Sequence, residues 1–192
     1  MVGISTGETE AGLISRAQKG DRGAFCELVE RYQAGVVDVV YRMCSDPQLA
    51  QDAAQEAFIH AWLHLPSYRP QSPLRNWLYR IAVNAALDAL RRQKPFLPEE
   101  IENLALVDPT DNPEGLLVQK EQAALVQRAV QALPEACRVV LVLREYEDLS
   151  YLDIASTLDI PIGTVMSRLN YARERLRLLL RSNSAQREVD HE

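Results

Sequence analysis

Residues 149–181, LSYLDIASTLDIPIGTVMSRLNYARERLRLLLR, leave little choice of fold. Val165, Leu169, Ala172, Leu176 and Leu179/Leu180 recur at steps of four, three, four and three residues, the period of one buried helix face. Just before them, Asp159-Ile160-Pro161 has room only for a tight turn. Ser150, with Asp153 in the usual Glu/Gln place, forms a capping-box start for a shorter helix. That helix is expected to expose Tyr151 and Asp153 and to bury Leu152, Ile154, Ala155 and Leu158. A short helix, a three-residue turn and a basic second helix make a helix-turn-helix, whose second helix can enter a DNA major groove. Opposite the apolar stripe stand Met166, Ser167 and Asn170, near the helix N-terminus. Arg168 and Tyr171 flank that face on one side and Arg173 on the other, and the positive helix end favours a phosphate near Thr164. A helical hairpin with a charged outer face is the competing reading.

The rest of the chain carries the same period in shorter stretches. Leu13 and Ala17, followed by Gly20-Asp21, predict a short helix, a glycine stop and an Asp cap for a second helix starting near Ala24-Phe25. Phe25, Leu28, Val29, Tyr32, Val36, Val39 and Val40 continue that helix, although VVDVV alone fits a strand as well. Asp46-Pro47 opens a third helix with Leu49, Ala53, Ala57, Trp62 and Leu65 close to one face. Pro66, Pro70 and Pro73 break the chain before a helix bearing Leu74, Leu78, Ile81, Ala85 and Leu90. Asn112-Pro113 starts a helix running to Leu133, and Pro134-Glu135 starts another over CRVVLVLREY, read as helix from its helical surroundings despite its β-branched content. Residues 96–112 hold Pro98 and Pro109 without sustained periodicity and read as a linker. The expected class is all-α: a tail at 1–11, small helical domains at 12–95 and 113–181, a flexible acidic linker at 96–112, and a polar tail at 182–192 that should fray.

The formal net charge of −6 argues against a nucleic-acid partner until the charge is located. Residues 1–95 are net +1, the linker is −5 through Glu99, Glu100, Glu102, Asp108 and Asp111, and residues 113–192 are −2. Two stretches run the other way: 69–94 at +5 and 162–181 at +4. Two basic stripes either side of an acidic connector direct attention to phosphate backbones, though solvated helix faces look the same.

No apolar run approaches the roughly 20 residues of a membrane helix, and no N-terminal signal pattern is present, so a soluble, cytoplasmic chain without membrane insertion is expected. Cys26, Cys44 and Cys137 form no C-x-x-C pair and read as small buried hydrophobes in a reducing compartment. His60 and His64 lack the Glu of a zincin. Without a Gly-rich phosphate loop, nucleophile elbow or metal-ligand cluster, no catalytic residue, metal or cofactor is assigned.

Four segments resemble the bacterial extracytoplasmic-function sigma factors of the sigma-70 family. Asp52-Ala53-Ala54-Gln55-Glu56-Ala57-Phe58 and Trp77-Leu78-Tyr79-Arg80-Ile81-Ala82-Val83-Asn84 resemble regions 2.2 and 2.3–2.4. Leu133-Pro134-Glu135 and Ile160-Pro161-Ile162-Gly163-Thr164-Val165-Met166-Ser167-Arg168-Leu169 resemble region 4. The segments stand in family order over residues 12–181. The resemblance implies a sigma2-like domain that docks on the clamp helices of the largest subunit of core RNA polymerase and recognises the promoter −10 element. It also implies a sigma4-like domain that contacts the polymerase flap and reads the −35 element as duplex. The linker would thread toward the active-site and RNA-exit channels, where its charge suits a passage built for nucleic acid; a merely solubilising linker would look the same. An anti-sigma partner is expected from the family alone. A stand-alone helix-turn-helix regulator is the alternative, and it leaves residues 46–94 without a role.

By the same resemblance, polymerase docking falls to Asp52, Gln55, Glu56 and Ile59, which share one helix face, while Phe58, Trp62 and Leu65 read as core. Promoter opening requires a base to leave the stack and find a pocket and a stacking partner. The candidates are Tyr68, Arg69, Arg75, Asn76, Tyr79, Arg80 and Asn84, with Tyr68 and Tyr79 as stacking platforms. Arg91 and Arg92 are backbone contacts or a cationic helix end. The −35 set is Thr164, Met166, Ser167, Arg168, Asn170, Tyr171, Arg173 and Arg175. Three departures mark this chain: Tyr171 stands where Arg is usual, Asp159 replaces the turn Gly, and Pro70-Gln71-Ser72-Pro73 stiffens the loop that should shape the −10 pocket.

Overall fold

The structure is a computed structural model and describes residues 8–93 and 114–189; the acidic linker and its five carboxylates lie outside the described residues. The chain order is α1 (Glu10–Gln18), α2 (Arg22–Cys44), α3 (Pro47–His64), one 3-10 turn (Leu65–Ser67) and α4 (Leu74–Gln93), then α5 (Glu114–Gln131), α6 (Glu135–Glu145), α7 (Tyr151–Leu158) and α8 (Ile162–Val189). Among the described residues there is no strand.

Local chemistry sets the boundaries. Asp21 caps α2 by accepting from the Ala24 amide at 3.1 Å, and Asp46 caps α3 by accepting from the Gln48 and Leu49 amides at 2.8 and 3.0 Å. Gly20 adopts φ +91, the left-handed region that lets α1 reverse into α2. The VVDVV run is helical, with Val36, Val39 and Val40 buried on one face. In the first half, α3 packs on α4 through Ala50, Ala53, Ala54, Ala57 and Ala61 against a face with Ala82, Ala85, Ala86 and Ala89 buried. The second half wraps α6, α7 and α8 around Val140, Leu143, Ile154, Val165 and Leu169.

The halves also pack on each other. One cluster of buried side chains extends from Leu13 to Ala172, α2 contacts α5 and α6, and α4 contacts α7. At the end of α2 the contact is polar. Gln127 Nε2 donates to Tyr41 O at 3.4 Å, Arg42 O at 3.3 Å and Ser45 Oγ at 2.8 Å. Gln131 Nε2 donates to Arg42 O at 2.9 Å. Arg138, 7% exposed, donates to Met43 O at 2.7 Å and ties Gln131 O and Leu133 O at 2.5 and 3.1 Å. Burial holds its guanidinium below the usual arginine pKa, yet an arginine stays charged in a protein.

Three expectations need correction. Leu152 is 70% exposed, because the inward row of α7 is Tyr151, Ile154, Ala155 and Leu158, and Leu152 falls one position off it. Cys26 is exposed, and Cys44 and Cys137 are half-buried. The helix α8 continues past Arg181 to Val189, since no Gly or Pro interrupts that stretch.

Arg138→Ala is expected to cost about 3 kcal/mol of unfolding free energy, because three carbonyls lose a charged donor. Urea denaturation measures this, and a loss below about 0.5 kcal/mol would mean that water replaces the guanidinium without cost.

Candidate nucleic-acid interface

The turn between α7 and α8 places the recognition helix. Asp159 ends α7 at φ 54, ψ 49, so this aspartate takes the left-handed conformation that glycine usually supplies. Ser150 Oγ accepts from the Asp153 amide at 3.1 Å and donates to the Asp153 carboxylate at 2.6 Å. With Val165, Leu169 and Ala172 fully buried, the opposite face of α8 opens outward: Met166 is 48% exposed, and Ser167, Asn170, Tyr171 and Arg175 are exposed. Ile162 and Gly163 extend that face by a turn, one residue step before the segment assigned from sequence. Thr164 and Arg168 are half-buried, and Arg168 lines a cleft facing α4. Arg173 does not stand free for a phosphate. Its Nε and Nη2 donate to Glu145 Oε1 at 3.1 and 2.7 Å, and its Nη1 to Tyr151 Oη at 3.4 Å.

The expected −10 residues divide in two. Tyr68, Asn76 and Tyr79 are only 5%, 3% and 3% exposed, so none is an open platform or pocket in this conformation. Tyr68 donates to Ser72 O at 2.7 Å and lies 5.1 Å from the Trp77 ring. Asn76 Nδ2 donates to Asp153 at 3.1 Å, and the Tyr79 hydroxyl donates to Glu147. The reason is tertiary: Asn76 and Tyr79 lie on the face of α4 that meets the second half. Arg69, Arg75, Arg80, Asn84, Arg91 and Arg92 remain exposed. Arg80 approaches Asp159 at 3.8 Å, Arg91 pairs with Asp88 at 3.2 Å, and Arg92 pairs with Glu56 at 2.8 Å. That last pair joins two residues assigned to different partners, and Arg92 holds the Glu56 carboxyl below its ordinary pKa.

Sequence reasoning missed the clasp built on Gly35. A Cβ there would come within 2.5 Å of Tyr79 Oη and 3.5 Å of Glu147 Oε2, so only glycine admits this approach. Its signal was a lone glycine inside a long helical pattern. Burial raises the Glu147 carboxyl above the usual range; Asp38 and Asp148 add to the rise, and the Tyr79 bond and Arg75 oppose it. Burial, together with the Glu147 bond, likewise raises the Tyr79 phenol.

On α3, Asp52 and Gln55 are exposed, Ile59 is 55% exposed and Leu63 is 64% exposed. Leu63 was missed, although it lies four residues after Ile59 on the same face. Among the described residues no cluster of His, Cys, Asp or Glu could hold a metal ion, and no helix is long and apolar enough to cross a membrane.

Two packed helical halves, the second ending in a helix-turn-helix with a bare outer face, are an arrangement that DNA-binding proteins use. The family model for Sigma-70 region 2 matches residues 28–96, and that for Sigma-70, region 4 matches residues 123–176. The chain is 42% identical over 179 residues to the RNA polymerase sigma-H factor of Pseudomonas aeruginosa, covering 88% of this chain and 92% of the relative. It is 41% identical over 175 residues to the ECF RNA polymerase sigma-E factor of Escherichia coli K12, covering 86% and 91%. The chain belongs to the extracytoplasmic-function sigma factors of the sigma-70 family. Its fold is similar to CnrH, solved in complex with the cytosolic domain of CnrY, at a TM-score of 0.69 and 24% identity over 88% of this chain and 96% of that one. It is also similar to RpoE, solved with the anti-sigma factor NepR from Bartonella quintana, at 0.63 and 24% over 82% and 96%.

A raised carboxyl pKa gives a stability term that is full below the unfolded value and fades as pH rises through the folded one. Glu147→Gln keeps an acceptor for Tyr79 and removes the charge. Its stability relative to wild type is expected to increase as pH rises above the ordinary glutamate range of about 4. Paired thermal melts measure this; a difference constant with pH would show that Glu147 ionises without strain in the fold.

Proposed function

We propose that this sigma factor, acting in the cytoplasm and as an initiation factor rather than an enzyme, reads the −35 element as duplex through α8 and helps core RNA polymerase open the −10 element. The observation that carries the reading is the outer face of α8 at Met166, Ser167 and Asn170, bare at the helix N-terminus while its inner face is locked in the core. Ser167 and Asn170 supply polar groups for base edges, and Arg175 supplies a charge for phosphate.

The docking face at Asp52, Gln55, Ile59 and Leu63 is open while the halves are packed, so polymerase can engage first. Asn76 and Tyr79 reach DNA only after the halves part. Arg173 is held within the second half by Glu145 and Tyr151, Arg168 is half-buried at the cleft, and the net charge of −6 opposes DNA, so the free chain binds promoters weakly. An anti-sigma partner belongs to the same reading and would act on the packed halves.

Multi-round transcription by core polymerase with and without the chain tests the function: promoter-specific initiation should depend on its addition, and no gain would overturn the reading. Ser167→Ala and Asn170→Ala are expected to change −35 sequence preference. Arg175→Ala should weaken duplex binding evenly across sequences and reduce the salt slope by about one. An unchanged slope would move Arg175 out of the interface.

Gly35→Ala should push Tyr79 away from Glu147 and part the halves. Its free form is then expected to be larger by small-angle scattering and to bind promoter DNA more tightly than wild type. A compact variant with unchanged DNA affinity would contradict closure as the restraint.

A further inference from the structure

We propose that the −35 element of this factor centres on A·T base pairs, with Asn170 reading an adenine and Met166 packing on the methyl group of a neighbouring thymine. The inference rests on the reading of the −35 duplex by α8 given above, and adds the bases that α8 selects. It follows from how the outer surface of that helix is divided. Gly163, Ser167, Asn170 and Glu174 are all exposed and form the row opposite the buried Val165, Leu169 and Ala172. Arg168 and Arg175 lie on one flank of this row, and Arg173 and Arg177 on the other, so no guanidinium projects from its centre.

Each base pair shows a distinct set of groups in the major groove. Guanine presents two acceptors, O6 and N7, and is matched by the paired donors of an arginine or lysine. The central row lacks them. Ser167 commits its hydroxyl proton to Thr164 O at 3.1 Å, which leaves an acceptor, and the Glu174 carboxylate is an acceptor as well. Asn170 has no hydrogen-bond partner for its side chain among the described residues, so both ends of its amide are open to a base. Adenine sets the N6 donor beside the N7 acceptor, and an asparagine Oδ1 and Nδ2 meet that pair together.

Met166 and Asn170 are four residues apart and are therefore neighbours on the helix surface. Met166 is 48% exposed, Ile162 one turn before it is 42% exposed, and neither belongs to the packed core. The thymine methyl is the apolar group of the major groove, and covering it takes both the methyl and the Met166 side chain out of water. An adenine against Asn170 and a thymine against Met166 on the adjoining pair thus satisfy both side chains at once.

Selection of promoter duplexes from a randomised pool by core RNA polymerase carrying this chain tests the assignment. The upstream element recovered is expected to centre on adjacent A·T pairs. Within it, deoxyuridine in place of one particular thymidine should weaken binding about fourfold, the loss of one buried methyl. Met166→Ala should bind the two duplexes alike, and Met166→Arg should move the preference at that position to guanine. An adenine analogue with carbon at the N7 position should weaken wild-type binding about fivefold at one site and leave Asn170→Ala unaffected. An element centred on G·C pairs, wild-type affinity indifferent to every thymine methyl, or a Met166→Ala variant that still distinguishes the methyl would overturn the inference and leave the −35 reading standing. Recovery of no upstream element would overturn that reading, and this inference with it.

Discussion

Every α-helix ends in carbonyls that its own backbone cannot satisfy, and in α2 those carbonyls fall in the middle of the molecule. Arg42 and Met43 present theirs to the second half, and Gln127, Gln131 and Arg138 answer with amide and guanidinium donors, while the Tyr41 carbonyl, already bonded to the Ser45 amide at 2.7 Å, takes a longer second bond from Gln127. Arg138 also ties the end of α5 to the start of α6. The register that lets these donors meet those carbonyls also sets Glu147 against Tyr79 and Asp153 against Asn76. The packing of α4 on α7 and the capping of α2 thus share one alignment.

A contact of this chemistry opens more readily than an apolar one of the same extent. Parting it exchanges hydrogen bonds between protein groups for hydrogen bonds to water, a trade with a small net free energy per bond. The apolar residues around the polar centre keep the closed form favoured. A partner that binds the open form better can shift such a balance by the difference in its affinities and no more. Ile59 and Leu63 stay exposed while the halves are packed, so in the proposed reading a partner can bind there before the halves part.

Local signals were legible in the chain. Asp21, Asp46, Ser150 and Asp159 mark helix ends because capping depends on a few neighbouring residues, and the stripe from Val165 to Ala172 marks the inner face of α8 because periodicity is local too. The exposure of Met166, Ser167 and Asn170 opposite that stripe followed from the same period. What failed was long-range. Nothing near Asn76 or Tyr79 says that the second half covers them in the packed form. Leu152 was taken for core on hydrophobicity alone, although its position in the period puts it outside. Arg138 and Gly35 carried no motif: one matters for carbonyls far away in sequence, the other for the side chain it lacks.

The recognition helix also links its two faces. α8 runs unbroken for 28 residues, about 42 Å of rise, and α5, α6 and α7 all pack against it. Because the helix is continuous, its inner row at Val165, Leu169 and Ala172 and its outer row at Met166, Ser167 and Asn170 keep a fixed angle to one another. The direction in which that outer row points is therefore set by how α6 and α7 pack, through residues that the row itself does not include.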